Sequence, residues 1–153
     1  MQYQPRNSLY SIVLFIFTIT NMYVCDCQKK NMPFNIEWES CGGEADQVRV
    51  DDILVDPPFG QGESTVEFEG KAFTTPPVPG SAEVRLFFFG LPFATEEIVV
   101  CPPEEDCPYI EGPMRVLFGL DLSILPSGNY GIEYDSVDAV GAPLFCVKFD
   151  FTM

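Results

Sequence analysis

Apolar and polar residues alternate along several short stretches of this chain, and this pattern limits its fold more than any other feature. In the runs 83–89 and 114–120, every second residue is apolar. Because side chains alternate across a strand, each run places its apolar residues on one face. A proline-containing turn and an acidic loop bounded by cysteines separate the runs. We therefore predict two strands of a β-sandwich joined by an exposed acidic connection.

The same alternation predicts further strands. They cover residues 34–41, 48–55, 64–73, 129–135 and 144–151. Gly70 is predicted to mark a bulge or kink, and residues 135–143 to form a long hairpin loop. No segment of the mature chain has a sustained 3.6-residue period, so the predicted fold class is all-β, with roughly six to eight short strands at the spacing of a sandwich.

The charge balance and the absence of histidine argue against several functions. Lys and Arg total 8 against 23 Asp and Glu, a formal net charge of −15. This charge repels phosphate backbones, so nucleic acid is not expected as a partner. Without histidine the chain lacks the usual general base and the commonest zinc ligand. We therefore predict no catalytic residue, no metal site and no cofactor, and a protein that is not an enzyme.

The N-terminus has the pattern of a secretory signal peptide. Arg6 precedes an apolar core over residues 9–19. Asn21 ends this core too early for a bilayer span of about 20 residues. The predicted location is therefore outside the cell or in the lumen of lysosomes or endosomes.

The cleavage position decides which cysteines remain in the mature protein. A cut after Cys27 fits best the need for small residues before the cleavage site, so residues 1–27 are predicted to be the signal peptide and 28–153 the mature domain. An earlier cut at Thr20 would retain Cys25 and Cys27, as a third pair or as reactive thiols.

Four cysteines remain after the later cut, an even number that indicates two disulfides in an oxidising compartment. Four cysteines allow three connectivities. Cys101 and Cys107 bracket five residues that include two prolines and three acids, a sequence too kinked and charged for a core. We predict that these two pair locally, which leaves Cys41 with Cys146.

Short motifs occur in a fixed order from about residue 34 to the C-terminus. They are Trp38-Glu39-Ser40-Cys41, Phe89-Gly90-Leu91-Pro92-Phe93, Cys101 with Cys107-Pro108, Leu125-Pro126-Ser127-Gly128-Asn129-Tyr130 and Leu144-Phe145-Cys146. Each motif alone is weak, but their order and spacing together are fairly specific. The set resembles the ML (lipid-recognition) domain family, which includes the Niemann-Pick type C cholesterol carrier and the phosphatidylglycerol/phosphatidylinositol transfer proteins.

The resemblance implies secretion, an immunoglobulin-like β-sandwich of two antiparallel sheets, a lipid cavity between the sheets and the two disulfides named above. One departure concerns the loop over residues 56–62, which lacks the additional cysteine pair of the cholesterol carriers, as in the phospholipid-transfer branch. The turn over residues 90–93 and the motif at 144–146 are closer to the sterol carriers. The expected ligand is therefore a sterol or a phospholipid.

The inward faces of the predicted strands supply the candidate lipid-binding residues. They are Phe68, Val84, Leu86, Phe88, Val116, Phe118, Tyr130, Ile132, Tyr134, Val147 and Phe149. The alternative for each is that it only fills a packed core. The entrance is predicted near Leu91-Pro92-Phe93, since apolar residues in a turn are typical of a mouth or a contact surface.

The predicted function is that of a secreted carrier that holds a lipid between two sheets and moves it between membranes or to a partner. Transient membrane contact is expected, and a receptor or membrane transporter is a further expected partner. The first alternative is an accessory recognition protein, of the innate-immune co-receptor or hydrolase-activator type, without independent transfer. The second is a structural secreted protein that binds no lipid.

Overall fold

The computed structural model describes residues 34–101, 107 and 109–153. The predicted signal peptide, its cleavage site, and Cys25 and Cys27 lie outside the described residues. No helix in the described part of the chain is long and apolar enough to cross a membrane. The strands described are β1 (Phe34–Asn35), β2 (Trp38–Ser40), β3 (Val48–Asp56), β4 (Glu63–Ala72), β5 (Gly80–Phe88), β6 (Leu91–Val100), β7 (Gly112–Asp121), β8 (Asn129–Val137) and β9 (Pro143–Thr152).

The strands form two antiparallel sheets, which confirms the predicted all-β sandwich. One sheet has the order β1-β3-β4-β7 and the other the order β2-β9-β8-β5-β6. The predicted strands at 83–89 and 114–120 correspond to β5 and β7, which lie in opposite sheets. Their alternating apolar residues therefore face each other across the interior.

The connection between these two strands differs from the prediction, because it contains a whole strand. The predicted proline turn at 91–93 is the start of β6, a ten-residue edge strand. The turn itself is Phe89-Gly90, whose φ angles of 49° and 76° suit the two-residue hairpin that matches strand twist. Pro92 is tolerated because β6 is hydrogen-bonded on one side only.

The single strand predicted over residues 34–41 is in fact divided between the two sheets. β1 pairs with β3, and β2 pairs with β9. Between them Ile36 is 6% exposed. We name residues 34–41 the N-terminal strap, because the segment joins both sheets along the same side of the sandwich.

Two smaller predictions are also corrected. The bulge expected at Gly70 lies in the partner strand, where the β3 register shifts between Val50 and Asp52. Gly70 is needed for a different reason, since a Cβ there would lie 2.0 Å from the Arg49 carbonyl oxygen. The long hairpin loop is only 138–142, because β8 extends to Val137.

The structure confirms both predicted disulfides. Cys41 is bonded to Cys146, 105 residues apart, and Cys101 to Cys107, six residues apart. The longer bond fixes the end of the strap to β9, and the Cys41 amide donates to the Cys146 carbonyl at 3.0 Å. The bond therefore ties the first strands of the sandwich to the last.

The two disulfides are expected to differ in their contribution to stability. The Cys41→Ser/Cys146→Ser variant should lose about 4 to 5 kcal/mol, because its closed loop is long, and the Cys101→Ser/Cys107→Ser variant about 2 kcal/mol. Urea unfolding of both variants beside the wild type measures the difference. Equal losses would contradict the assignment of the longer bond as the main constraint.

A hydrogen-bond network joins the loops at the disulfide end of the sandwich. The buried carboxylate of Asp138 accepts from the Gln47 side-chain amide at 2.8 Å and from the amides of Val140 and Ala142 at 3.0 and 2.9 Å. The pKa of Asp138 is lowered from its ordinary value of 3.8. The largest cause is the hydrogen bond from Gln47, and the bonds from these backbone amides lower the pKa further. The Phe73 amide donates to the Gln47 carbonyl at 2.9 Å, so Gln47 connects loops from both sheets.

The lowered pKa of Asp138 predicts a pH-dependent contribution to stability. A carboxylate with a lower pKa in the folded state stabilises the protein above its unfolded pKa, and this stability is lost as pH falls through the folded value. Asp138→Asn should therefore be less stable than the wild type at neutral pH and approach it in acid. Urea unfolding over a pH series checks this, and a gap that stayed constant below about pH 4 would argue against the network.

Candidate functional site

The predicted lipid-binding residues come together on the facing surfaces of the two sheets. Nine are buried: Phe68, Val84, Leu86, Phe118, Tyr130, Ile132, Tyr134, Val147 and Phe149. Phe88 and Val116 are half-buried, and Phe93 is 47% exposed. Among the described residues, Asp138 is the only charged side chain that is buried. The surface that these residues form is therefore apolar and aromatic.

Phe68 is the centre of an aromatic contact between the sheets. Its ring centroid lies 5.3 Å from that of Phe118 in its own sheet. Across the interior it lies 5.2 Å from Tyr134 and 5.5 Å from Phe145, both edge-on. These distances and angles are favourable for aromatic pairs. The sheets are thus in direct side-chain contact in this part of the interior.

A second aromatic series leads from the surface to the interior at the end of the sandwich opposite the disulfides. The ring centroids of Phe93 and Phe88 are 6.3 Å apart, and those of Phe88 and Tyr130 are 4.9 Å apart. Tyr130 continues the series to Phe151 at 5.7 Å, and its hydroxyl donates to the Pro126 carbonyl at 2.6 Å. An exposed side chain is therefore connected to buried ones through unbroken aromatic contact.

A bulge in β6 brings Phe93 into this series. Leu86 pairs with Ala94 and Phe87 with Pro92, so Phe93 has no partner on β5. Because an extra residue re-aims the side chains around it, Phe93 reaches Phe88. The role of Leu91-Pro92-Phe93 at an entrance stays a prediction.

Several exposed apolar side chains lie at this end of the molecule, and others lie towards the opposite end: Phe73, Val78, Val99, Ile110 and Val140. We name the β5–β6 hairpin over residues 88–93 the hairpin tip. Phe89 is 62% exposed there, Leu91 70% and Phe93 47%. The 122–128 loop packs beside the tip, since a Cβ on Gly128 would lie 2.5 Å from the Phe88 ring. Ile124 in this loop is 61% exposed as well.

Ion pairs lie away from the tip, on the outer faces of the sheets, whereas one carboxylate faces inward. Arg85 pairs with Glu83 and Glu133, and Arg115 with Glu67. The inward-facing partner of Val84 on β6 is Glu96, which is half-buried, and this burial raises its pKa. An inward charge of this kind is a common protection of an edge strand against pairing with another chain.

The two sheets are not equally close on their two sides. Among the described strands, β3 and β9 are the only pair from opposite sheets whose Cα atoms come within 8 Å along several residues. A pocket of about 250 Å³ lies on this side. It is lined by Trp38, Ser40, Gly43, Glu44, Asp46, Val48, Arg49, Val50, Phe73, Phe145, Cys146 and Val147. On the other side β6 and β7 are the outer strands of their sheets.

A family model for the ML domain matches residues 35–153. The chain belongs to the ML domain family. A solved structure of chicken MD-1 complexed with lipid IVa matches this ML domain with a TM-score of 0.53 and 16% sequence identity. The match covers 81% of this chain and 91% of that chain, and it shows that the two proteins share a fold. A search of curated protein sequences found no match.

Two interior aromatic residues of the ML domain were absent from the predicted set. Phe145 alternates with Val147 and Phe149 along β9, so the sequence pattern places it on the same face, although it is not among the predicted lipid-binding residues. Tyr109 is 2% exposed, but it lies in the β6–β7 connection, where no alternation predicts burial. Its ring centroid is 6.3 Å from that of Phe145.

The central position of Phe68 predicts a large effect of its removal. Phe68→Ala should lower the free energy of unfolding by about 3 to 5 kcal/mol, because it removes ring contacts to both sheets and leaves a cavity. Phe93→Ala is the matched control, since the same truncation at an exposed site should cost within about 0.5 kcal/mol. Urea unfolding measures both, and similar losses would contradict the packing described.

Proposed function

We propose that this ML domain is a secreted lipid-binding and transfer protein. It holds a sterol or a phospholipid between its two sheets and moves it between membranes or to a protein partner. Family membership supports the proposal, as does a fold shared with a protein solved in complex with lipid IVa. The lipid-binding residues we propose are the inward-facing set named above, with Phe93 at the entrance.

The observation that carries the proposal is the aromatic path from the hairpin tip inward. Phe93 is half in solvent, Phe88 is half-buried and Tyr130 is 2% exposed, and each contacts the next. A lipid that leaves a bilayer exposes apolar surface at about 0.8 kcal/mol per methylene. A continuous apolar path lets hydrocarbon move from membrane to interior without crossing water.

The charge distribution supports contact between the tip and a membrane. The protein has a net charge of −15, which repels anionic lipid surfaces. Residues 86–95 contain no charged side chain, whereas the outer sheet faces hold many. The hairpin tip therefore approaches a bilayer at a low electrostatic cost, and its exposed apolar side chains suit transient insertion.

The proposed location is outside the cell or in the lumen of lysosomes or endosomes. The two disulfides support it, because such bonds persist in oxidising compartments. A receptor or a membrane transporter is proposed as a further partner that receives the lipid.

Transfer kinetics test the role of the tip. Phe93→Glu should slow transfer of a fluorescent sterol or phospholipid between vesicles by about tenfold, because a charge replaces an apolar side chain that buries in the membrane. Val140→Glu is the control, since Val140 is 78% exposed in the loop at the opposite end. It should transfer at the wild-type rate.

The same assay distinguishes the competing functions. An unchanged rate for Phe93→Glu would remove the tip from the mechanism. Tight lipid binding by the wild type without transfer would favour the accessory recognition function instead. Absence of binding to sterol, phospholipid and fatty acid, measured by native mass spectrometry, would refute the proposed function.

A further inference from the structure

Among the residues that the structure describes, one buried phenol has no partner in hydrogen-bond geometry. Tyr109 lies between β6 and β7, where the chain crosses from the five-stranded sheet to the four-stranded one. Its side chain is buried, and its hydroxyl bonds to no other described group. Such orphaned hydroxyls are rare in native proteins, because they lose their bonds to water and gain none. This hydroxyl is therefore a candidate to bond a group from outside the chain.

Aromatic side chains surround the phenol. The Tyr134 phenol is close enough to raise the pKa of Tyr109, by its charge and as a hydrogen-bonding neighbour, although the two hydroxyls do not reach hydrogen-bond geometry. Tyr134 in turn stacks on Phe118 and Phe145, with ring centroids 5.9 and 5.2 Å away. The pKa of Tyr109 is raised well above its ordinary value. Burial of the phenol is the largest cause, and the nearby Tyr134 raises the pKa further. The phenol therefore stays protonated and presents a hydrogen-bond donor.

The position of Tyr109 places this donor far from the hairpin tip. Along β8, Tyr130 contacts Phe88 at the tip, and Tyr134 lies four residues further on. At about 3.3 Å per residue, Tyr134 is about 13 Å deeper than Tyr130. A lipid that enters at the tip with its hydrocarbon first brings the end of its tail, rather than its headgroup, towards Tyr109.

We propose that the Tyr109 hydroxyl is a specificity-determining donor for lipids that carry a hydroxyl or keto oxygen at the buried end of their hydrocarbon. The inference rests on the lipid binding proposed above and adds a substrate class to it. A plain hydrocarbon tail leaves the hydroxyl unpartnered, whereas an oxygen at that position accepts its hydrogen bond. A polar site that is left unpaired by one ligand and satisfied by another discriminates between them.

Equilibrium binding of matched lipid pairs tests the inference. The pairs are cholesterol with its side-chain-end hydroxylated form, and a saturated fatty acid with its chain-end hydroxylated form. For the pair that binds, the wild type should prefer the oxygenated member by about fivefold to tenfold, the effect of one neutral hydrogen bond. Tyr109→Phe should abolish the preference and leave affinity for the plain lipid unchanged.

Ser136→Ala is the matched control, because its hydroxyl is also buried but already donates to the Phe145 carbonyl at 3.0 Å. It should keep the wild-type preference. Tyr109→Phe without lipid should melt at or above the wild-type temperature, since it removes an unpartnered group. A lower melting temperature would show that the hydroxyl is already satisfied in the free protein and would overturn the inference.

The remaining outcomes separate the two proposals. Equal binding of both members of a pair by the wild type, or a preference that survives Tyr109→Phe, overturns the role of Tyr109 and leaves lipid binding intact. Absence of binding to all four lipids overturns the inference, and it refutes the proposed function as well if phospholipid is not bound either.

Discussion

The structure depends on an N-terminal segment that belongs to both sheets. β1 adds to β3 in one sheet, β2 adds to β9 in the other, and the buried Ile36 lies between them. The bond from Cys41 to Cys146 then fixes the end of this strap. Among the described strands, β3 and β9 are also the pair from opposite sheets whose Cα atoms approach within 8 Å at several positions. The two sheets are therefore held together along one side by both chain connectivity and a covalent bond.

The other side of the sandwich is arranged differently. β6 and β7 are outer strands there, and the connection between them is stapled by its own short disulfide. β6 carries Pro92 and the inward-facing Glu96, two features that discourage pairing with another chain. The hairpin tip at the start of β6 holds three exposed apolar side chains, Phe89, Leu91 and Phe93. The sandwich is thus fixed along the side of β3 and β9, and it has exposed apolar residues at the hairpin tip on the other side. This arrangement suits a protein that takes up hydrocarbon.

The interior combines a contact between sheets with a route to the surface. Phe68 joins both sheets in the centre, whereas the series from Phe93 through Phe88 to Tyr130 reaches solvent. Tyr109 enters the same interior from the connection at the disulfide end. These parts come from distant segments of the chain, and the sandwich places them in one apolar interior. Among the described residues, Tyr109 is the one phenol buried there without a partner in hydrogen-bond geometry.

The sequence by itself determined the fold class, both disulfides and most of the inward faces. β3, β4, β5, β7, β8 and β9 each bury one face, and such strands leave an alternating pattern that can be read locally. Only the tertiary structure decided that β6 is a strand, that the strap is shared between sheets and that Tyr109 is buried. An edge strand exposed on much of both faces has no clear alternation. The sheet that a short strand joins, and the burial of a loop residue, depend on neighbours that are remote in the chain.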